Sequence, residues 1–197
     1  MTAVLDRVRA HVGAHFAAAG LPAEPDSASV TFLGVERIEV LRFGPGPDGV
    51  VHYLSLGCSR HPMGDPAALG ADPLRGPRAE VVVSLRNTVP TPGIARTVAL
   101  LAATPAVDGV VLVADALIDL GSALWAQRPG HAPLSAVLLG ESGIDDLQLD
   151  PPADPVRFLS ATPISANEAA WVRLKGVDEL RRTWVQDGTD VLDPSRL

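Results

Sequence analysis

Val50-Val51-His52-Tyr53-Leu54-Ser55-Leu56-Gly57-Cys58-Ser59 is the stretch on which the fold turns. A run of β-branched, aromatic and apolar side chains ends at Leu56, and Gly57 breaks it, which predicts a strand over 50–56 and then a tight turn. Just upstream, Gly44-Pro45-Gly46-Pro47-Asp48-Gly49 matches G-x-G-x-x-G letter for letter. A dinucleotide loop needs free backbone N–H groups and a helix after it. Pro45 and Pro47 have no N–H and a strand follows, so these residues read as a hairpin turn back to an earlier strand over Val35 to Phe43. No cofactor is implied.

Working outward, Ala79 to Arg86 reads as a third strand, with Val81, Val83 and Leu85 toward the core and Glu80, Ser84 and Arg86 on a partly wet side. The Pro- and Gly-rich residues from Gly57 to Pro77 carry no apolar period and read as a long loop. Toward the N-terminus, Leu5, Val8, Val12 and Phe16 form one helical stripe that ends at Gly20-Leu21-Pro22. Downstream, Thr91-Pro92 predicts the start of a helix that carries Ile94, Val98 and Leu101 inward and stops at Pro105. Short strands follow at Val110 to Val113, Leu134 to Leu139 and Val156 to Ser160. Ser165 with Glu168 is a capping box, with Ile164 as its staple, and opens a helix that ends near Gly176. Val177, Leu180 and Trp184 mark a last helix before Gly188. Helix, strands, helix, strands and two helices is an α+β order.

The chain has 197 residues, a net charge of −7 and a single cysteine. That length supports one domain over 1–197 with its own core. One cysteine excludes a disulfide framework and a multi-cysteine zinc site. A sequence pI near 5.1 argues against nucleic acid, whose phosphates call for basic side chains. The N-terminus has no apolar leader and no run approaches the roughly 20 residues of a membrane span, so the expectation is a cytoplasmic protein without a membrane partner. The charge is uneven along the chain. Between Val98 and Val156, Asp108, Asp115, Asp119, Glu141, Asp145, Asp146, Asp150 and Asp154 face only Arg128, and the remainder is neutral. An acidic face for a basic partner is one reading, and solvated turns rich in Asp are the other.

Candidate chemistry is sparse. Cys58 and His61 stand at a strand end, where a nucleophile and base belong, and with Ser59 they define the alternative of a small hydrolase or thiol enzyme. The second glycine of a G-x-S-x-G elbow is missing. His11 and His15 are spaced i, i+4, but Val12 stands where H-E-x-x-H has its glutamate and no third ligand is near in sequence. The Asp145, Asp146, Asp150 and Asp154 group lacks EF-hand spacing. No metal and no catalytic residue is assigned.

His52-Tyr53-Leu54-Ser55-Leu56-Gly57-Cys58-Ser59 resembles the signature of the Suppressor of fused (SUFU) family, an aromatic or His-Tyr pair followed by apolar-Ser-apolar-Gly-x-Ser. Later segments resemble that family in the same order: Ala79 to Arg86, Val98 to Pro105, Ala114-Asp115-Ala116-Leu117, Phe158 to Ile164 with Glu168, and Val177 to Leu180. The likeness spans about Val4 to Asp193. It implies a central mixed, largely antiparallel sheet flanked by helices, no enzymatic activity, and function through protein contact. Animal relatives carry a second domain and hold a transcription-factor peptide as an added strand, a β-augmentation mode. Asp115 matches an acidic residue of the family turn that contacts that peptide, whereas a helpful family tyrosine is replaced near Ala99. Bacterial members resemble interaction proteins, some regarded as immunity proteins against toxins. The expectation is therefore a protein partner, with a basic toxin domain as its sharper form, met by Asp115, Asp119, Asp145 and Asp146.

Overall fold

A computed structural model describes residues 2–31, 37–64, 72–126 and 133–196. Helix α1 (Thr2–Ala18) precedes strands β1 (Asp26–Val30), β2 (Ile38–Phe43), β3 (Val50–Leu56) and β4 (Arg78–Arg86). A single 3-10 turn, Cys58–Arg60, follows β3. Helix α2 (Ile94–Asp108) leads to β5 (Leu117–Asp119), β6 (Leu134–Glu141) and β7 (Val156–Ser165), then α3 (Ala166–Lys175) and α4 (Val177–Asp187). The seven strands form one sheet in the order β1-β2-β3-β4-β7-β6-β5. Every neighbouring pair is antiparallel except β4 with β7. This matches the α+β order read from the sequence and the mixed, largely antiparallel sheet that the family resemblance implies.

Strand alternation divides the core. Val81, Val83, Leu85, Val137, Leu139 and Leu159 point to one face, where α2 brings Ile94, Val98, Leu101 and Ala102. Leu54, Leu56, Val82, Val156 and Phe158 point to the other, under Val8, Val12 and Phe16 of α1. Further along that second face, Ala136, Leu138 and Ile164 meet Ala169 of α3 and Leu180 of α4. Phe16 stacks on Phe43 with ring centroids 4.2 Å apart, and His11 stacks on Phe158 at 5.4 Å, so α1 is sealed by aromatic contacts.

Several elements depart from the sequence reading. Strand β1 has four exposed residues and one apolar edge, and its sequence DSASV carries no strand period. The start of the strand expected from Val35 lies outside the described residues, as does the middle of the Gly57 to Pro77 loop. No strand forms at Val110 to Val113; the edge strand is Leu117–Asp119 instead. Strand β7 runs five residues beyond Ser160 because Leu159 to Ser165 pair with β6, after Val156 to Ser160 have paired with β4. Thr91-Pro92 does not cap α2: the helix begins after Gly93, which is left-handed at φ 96°. Pro105 does not stop it either. Proline has no N–H for the Leu101 carbonyl four residues back, and the Thr104 hydroxyl donates to that carbonyl at 2.8 Å, so the helix continues to Asp108. The Ser165–Glu168 capping box is present as read, with Glu168 N donating to Ser165 Oγ at 3.2 Å and Ser165 N donating to Glu168 Oε2 at 2.8 Å.

Candidate functional site

The family-like stretch of β3 and its turn closes on one carboxylate. Glu80 lies on β4, fully buried, on the face that α1 and the 3-10 turn cover. The sequence reading had that side partly wet; the cover makes it core. Glu80 accepts four hydrogen bonds: from Ser55 Oγ at 2.5 Å onto Oε2, and from Gly57 N at 2.9 Å, Ser59 N at 3.0 Å and Ser59 Oγ at 2.6 Å onto Oε1. Ser55 Oγ in turn accepts from Val81 N at 3.0 Å. Arg78, also buried, donates to the Ser59 and Arg60 carbonyls at 2.8 and 2.9 Å, so the turn is held from both ends. Burial raises the Glu80 carboxyl above its ordinary value, and the Ser55, Ser59 and Gly57 donors act against that rise.

Each residue of the stretch then has a physical task. His52 Nδ1 sits 2.8 Å from Ser84 Oγ across the β3–β4 pair, and burial lowers its pKa. Leu54 and Leu56 enter the core beneath α1, and Tyr53 packs on the α2 side. Ser55 and Ser59 satisfy Glu80, and Gly57 takes φ 147°. A Cβ on Gly57 would meet the Arg37 carbonyl at 3.2 Å and Ile38 Cα at 3.3 Å. Gly57→Ala is therefore expected to cost about 2 kcal/mol in chemical denaturation, from the unfavourable φ and the crowding together.

This geometry does not suit nucleophilic catalysis. Cys58 packs against the α2-side core, and burial pushes its thiol well above the usual range, with Glu80 adding to the rise. His61 is exposed, whereas Ser59 is buried and commits both its N–H and its hydroxyl to Glu80. Among the described residues no group of three or more His, Cys, Asp or Glu is placed to hold a metal. His11 Nε2 lies 2.7 Å from the Asp145 carbonyl, and His15 meets Phe16 edge-on, so the i, i+4 histidines serve the α1 seam.

The acidic segment is distributed in space, with arginines supplied from elsewhere. Asp115, in the left-handed region at φ 68°, pairs with Arg181 of α4 at 2.5 Å. Asp119 pairs with Arg173 of α3 at 2.9 Å, Asp150 with Arg7 of α1 at 2.9 Å, and Glu141 with Arg157 at 2.6 Å. Asp145 and Asp146 are exposed in the loop after β6, beside α1, and have no ion pair among the described residues. The structure therefore places Asp115 and Asp119 against α3 and α4, and Asp145 and Asp146 at a different helix. Exposed pairs of this kind add little stability, but they do reduce the local field. Among the described residues no helix is long and apolar enough to cross a membrane.

Comparison with known proteins places this architecture. The family model for Suppressor of fused protein (SUFU) matches residues 34–197. The crystal structure of a Sufu-Fu complex superposes with a TM-score of 0.65 at 17% identity, covering 100% of this chain and 90% of that one. Drosophila Suppressor of Fused gives a TM-score of 0.66 at 15% identity over 96% of this chain, which spans only 50% of that protein. No curated protein matches. At these identities the solved structures speak to fold alone, and the fold they share is the seven-stranded sheet with its flanking helices. On the extent of the family match, the chain belongs to the Suppressor of fused (SUFU) family.

Proposed function

We propose that this chain works by binding another protein, and that its partner is a toxin domain it neutralises as an immunity protein. The observation that carries the first part is the internal use of the signature stretch: Ser55, Gly57 and Ser59 are all spent on Glu80, and Cys58 is a partly buried thiol packed on the core, its pKa pushed up by desolvation. A family member crystallised as the Sufu-Fu complex supports a protein as the ligand. The toxin reading rests on the family resemblance and on acids without partners. Asp145 and Asp146 stand free of arginine among the described residues and would meet a basic surface first; Asp115 and Asp119 would join after exchanging Arg181 and Arg173 for the partner's cations.

Affinity capture from the source cells, followed by binding of the purified partner at low and high salt, tests both parts. The expected result is a toxin domain whose association slows several-fold in high salt and in the Asp145→Asn/Asp146→Asn double variant. A partner whose association ignores salt and that variant removes the acidic-face reading. A chain that captures no protein but turns over a substrate removes the binding reading altogether.

A further inference from the structure

Away from the Glu80 cluster, a groove of about 400 Å³ runs along the outer side of α2. Leu100, Thr104, Val107 and Asp108 form its α2 wall, and Leu120 and Leu124 form the other. The walls are fixed near the start of the helix, where the Thr97 hydroxyl donates to the Leu124 carbonyl and Ala126 N donates to the Pro92 carbonyl at 3.3 Å. Leu124 N is tied in turn to the Leu134 carbonyl of β6 at 2.9 Å, so the second wall is an extension of the sheet. The groove is thus preformed, which spares a ligand the cost of ordering it.

Two independent features describe what fits. Leu100 is 40% exposed and Val107 60% exposed along this wall, leaving apolar surface in water. At the far end, Asp108 is the last residue of α2, has no ion pair among the described residues, and adds a negative charge to the negative end of the helix dipole. The last turn carries no basic residue to offset it. About three turns of helix separate Thr97 from Asp108, the reach of a short peptide.

We infer that this groove takes a peptide segment of a partner protein that lays two apolar side chains over Leu100 and Val107 and sets a Lys or Arg beside Asp108. The inference rests on the protein-binding reading and gives it a second, separate surface, because Asp115, Asp145 and Asp146 do not line the groove.

The test is to pan a random twelve-residue phage-displayed peptide library on the full chain and measure the selected synthetic peptides by fluorescence anisotropy. Enriched peptides are expected to carry an apolar pair with a basic residue within four positions. Leu100→Asp and Val107→Glu, both at exposed positions, are expected to weaken binding at least tenfold with unchanged circular dichroism, and Asp108→Lys to reverse the preference toward acidic peptides. No enrichment, or peptides that bind Val107→Glu as tightly as the wild type, would overturn it. So would a wild-type dimer that Val107→Glu dissociates in sedimentation, since the occupant is then a second copy. A captured protein partner that binds Val107→Glu undiminished leaves the interaction reading standing and removes the groove alone; a wild-type chain with no protein partner removes both.

Discussion

Glu80→Ala is expected to lower the unfolding free energy by about 3–5 kcal/mol, measured by urea denaturation, because it strands a cluster of buried donors at once. Ser55 Oγ, Gly57 N, Ser59 N and Ser59 Oγ all lose their acceptor, in a place that α1 and the 3-10 turn keep from water. Against a usual domain stability of about 5–15 kcal/mol, such a loss approaches the whole margin. Glu80→Gln is expected to cost less, about 1–2 kcal/mol. Its carbonyl can receive the three donors on Oε1, and its amide can face Ser55 Oγ, so only the Ser55 hydroxyl proton is displaced. Similar losses in the two variants would show that the donors are not what hold the turn.

The same pair of variants carries a pH signature. Glu80 has its folded pKa raised above the ordinary 4.5, so the folded state holds this proton where the unfolded chain has released it. Its contribution therefore falls as pH rises from about 4.5 toward the folded value, and levels off above that. Glu80→Gln should lack this decline, so the gap between the two proteins changes across that window. An unchanging gap would contradict the assignment of the buried carboxyl.

Glu168→Ala is the second large loss, about 3–4 kcal/mol by the same measurement. Glu168 does more than close the capping box of α3. Its Oε1 accepts from Trp184 Nε1 at 2.7 Å and from Arg196 at 2.6 Å, and the Arg196 side chain is 6% exposed with its guanidinium over the Trp184 ring at 5.4 Å. Removing the carboxylate leaves that buried cation with the Pro163 carbonyl and leaves the indole N–H without its acceptor. Burial alone would raise the Glu168 pKa, but the Ser165 N–H, the Arg196 charge and the Trp184 donor outweigh it, and the net direction is down. The sign is thus opposite to that of Glu80. This stability is fully present above about 4.5 and is lost as pH falls through the lower folded value. Glu168→Gln should flatten the acid limb of the stability curve; an acid limb of wild-type steepness would refute the ionic role.

Local signals in the sequence were legible where a few adjacent residues decide the outcome. The strand over 50–56 ended where Gly57 must, and Ser165 with Glu168 placed the start of α3 to the residue. What was not legible depends on groups far apart in sequence. Strand β1 exists because β2 offers it hydrogen bonds, and its own side chains remain exposed. Glu80 alternates with core valines and so reads as a wet-side residue; only the arrival of α1 and Ser59 over it makes it the centre of a cluster. The local charge of the acidic segment is also set by distant groups. Asp115 meets Arg181 across 66 residues, Asp119 meets Arg173 across 54 and Asp150 meets Arg7 across 143, so a charge tally along the chain overstates the field in space. Pro105 illustrates a subtler case, since Thr104 had to be read as a donor to Leu101 before the helix could be carried through it.

Binding with Cys58 removed tests the account most directly, because Cys58 is the nucleophile that a thiol enzyme would need and that a purely associative protein would not. The wild type and Cys58→Ala are compared in partner affinity, in stability and in labelling by a thiol reagent at neutral pH. The account predicts equal affinity for the captured protein, a modest stability loss of about 1 kcal/mol for a small, partly buried side chain, and wild-type labelling far slower than that of free cysteine. A fast-labelling thiol, together with loss of function in a Cys58→Ala protein that still folds, would contradict it.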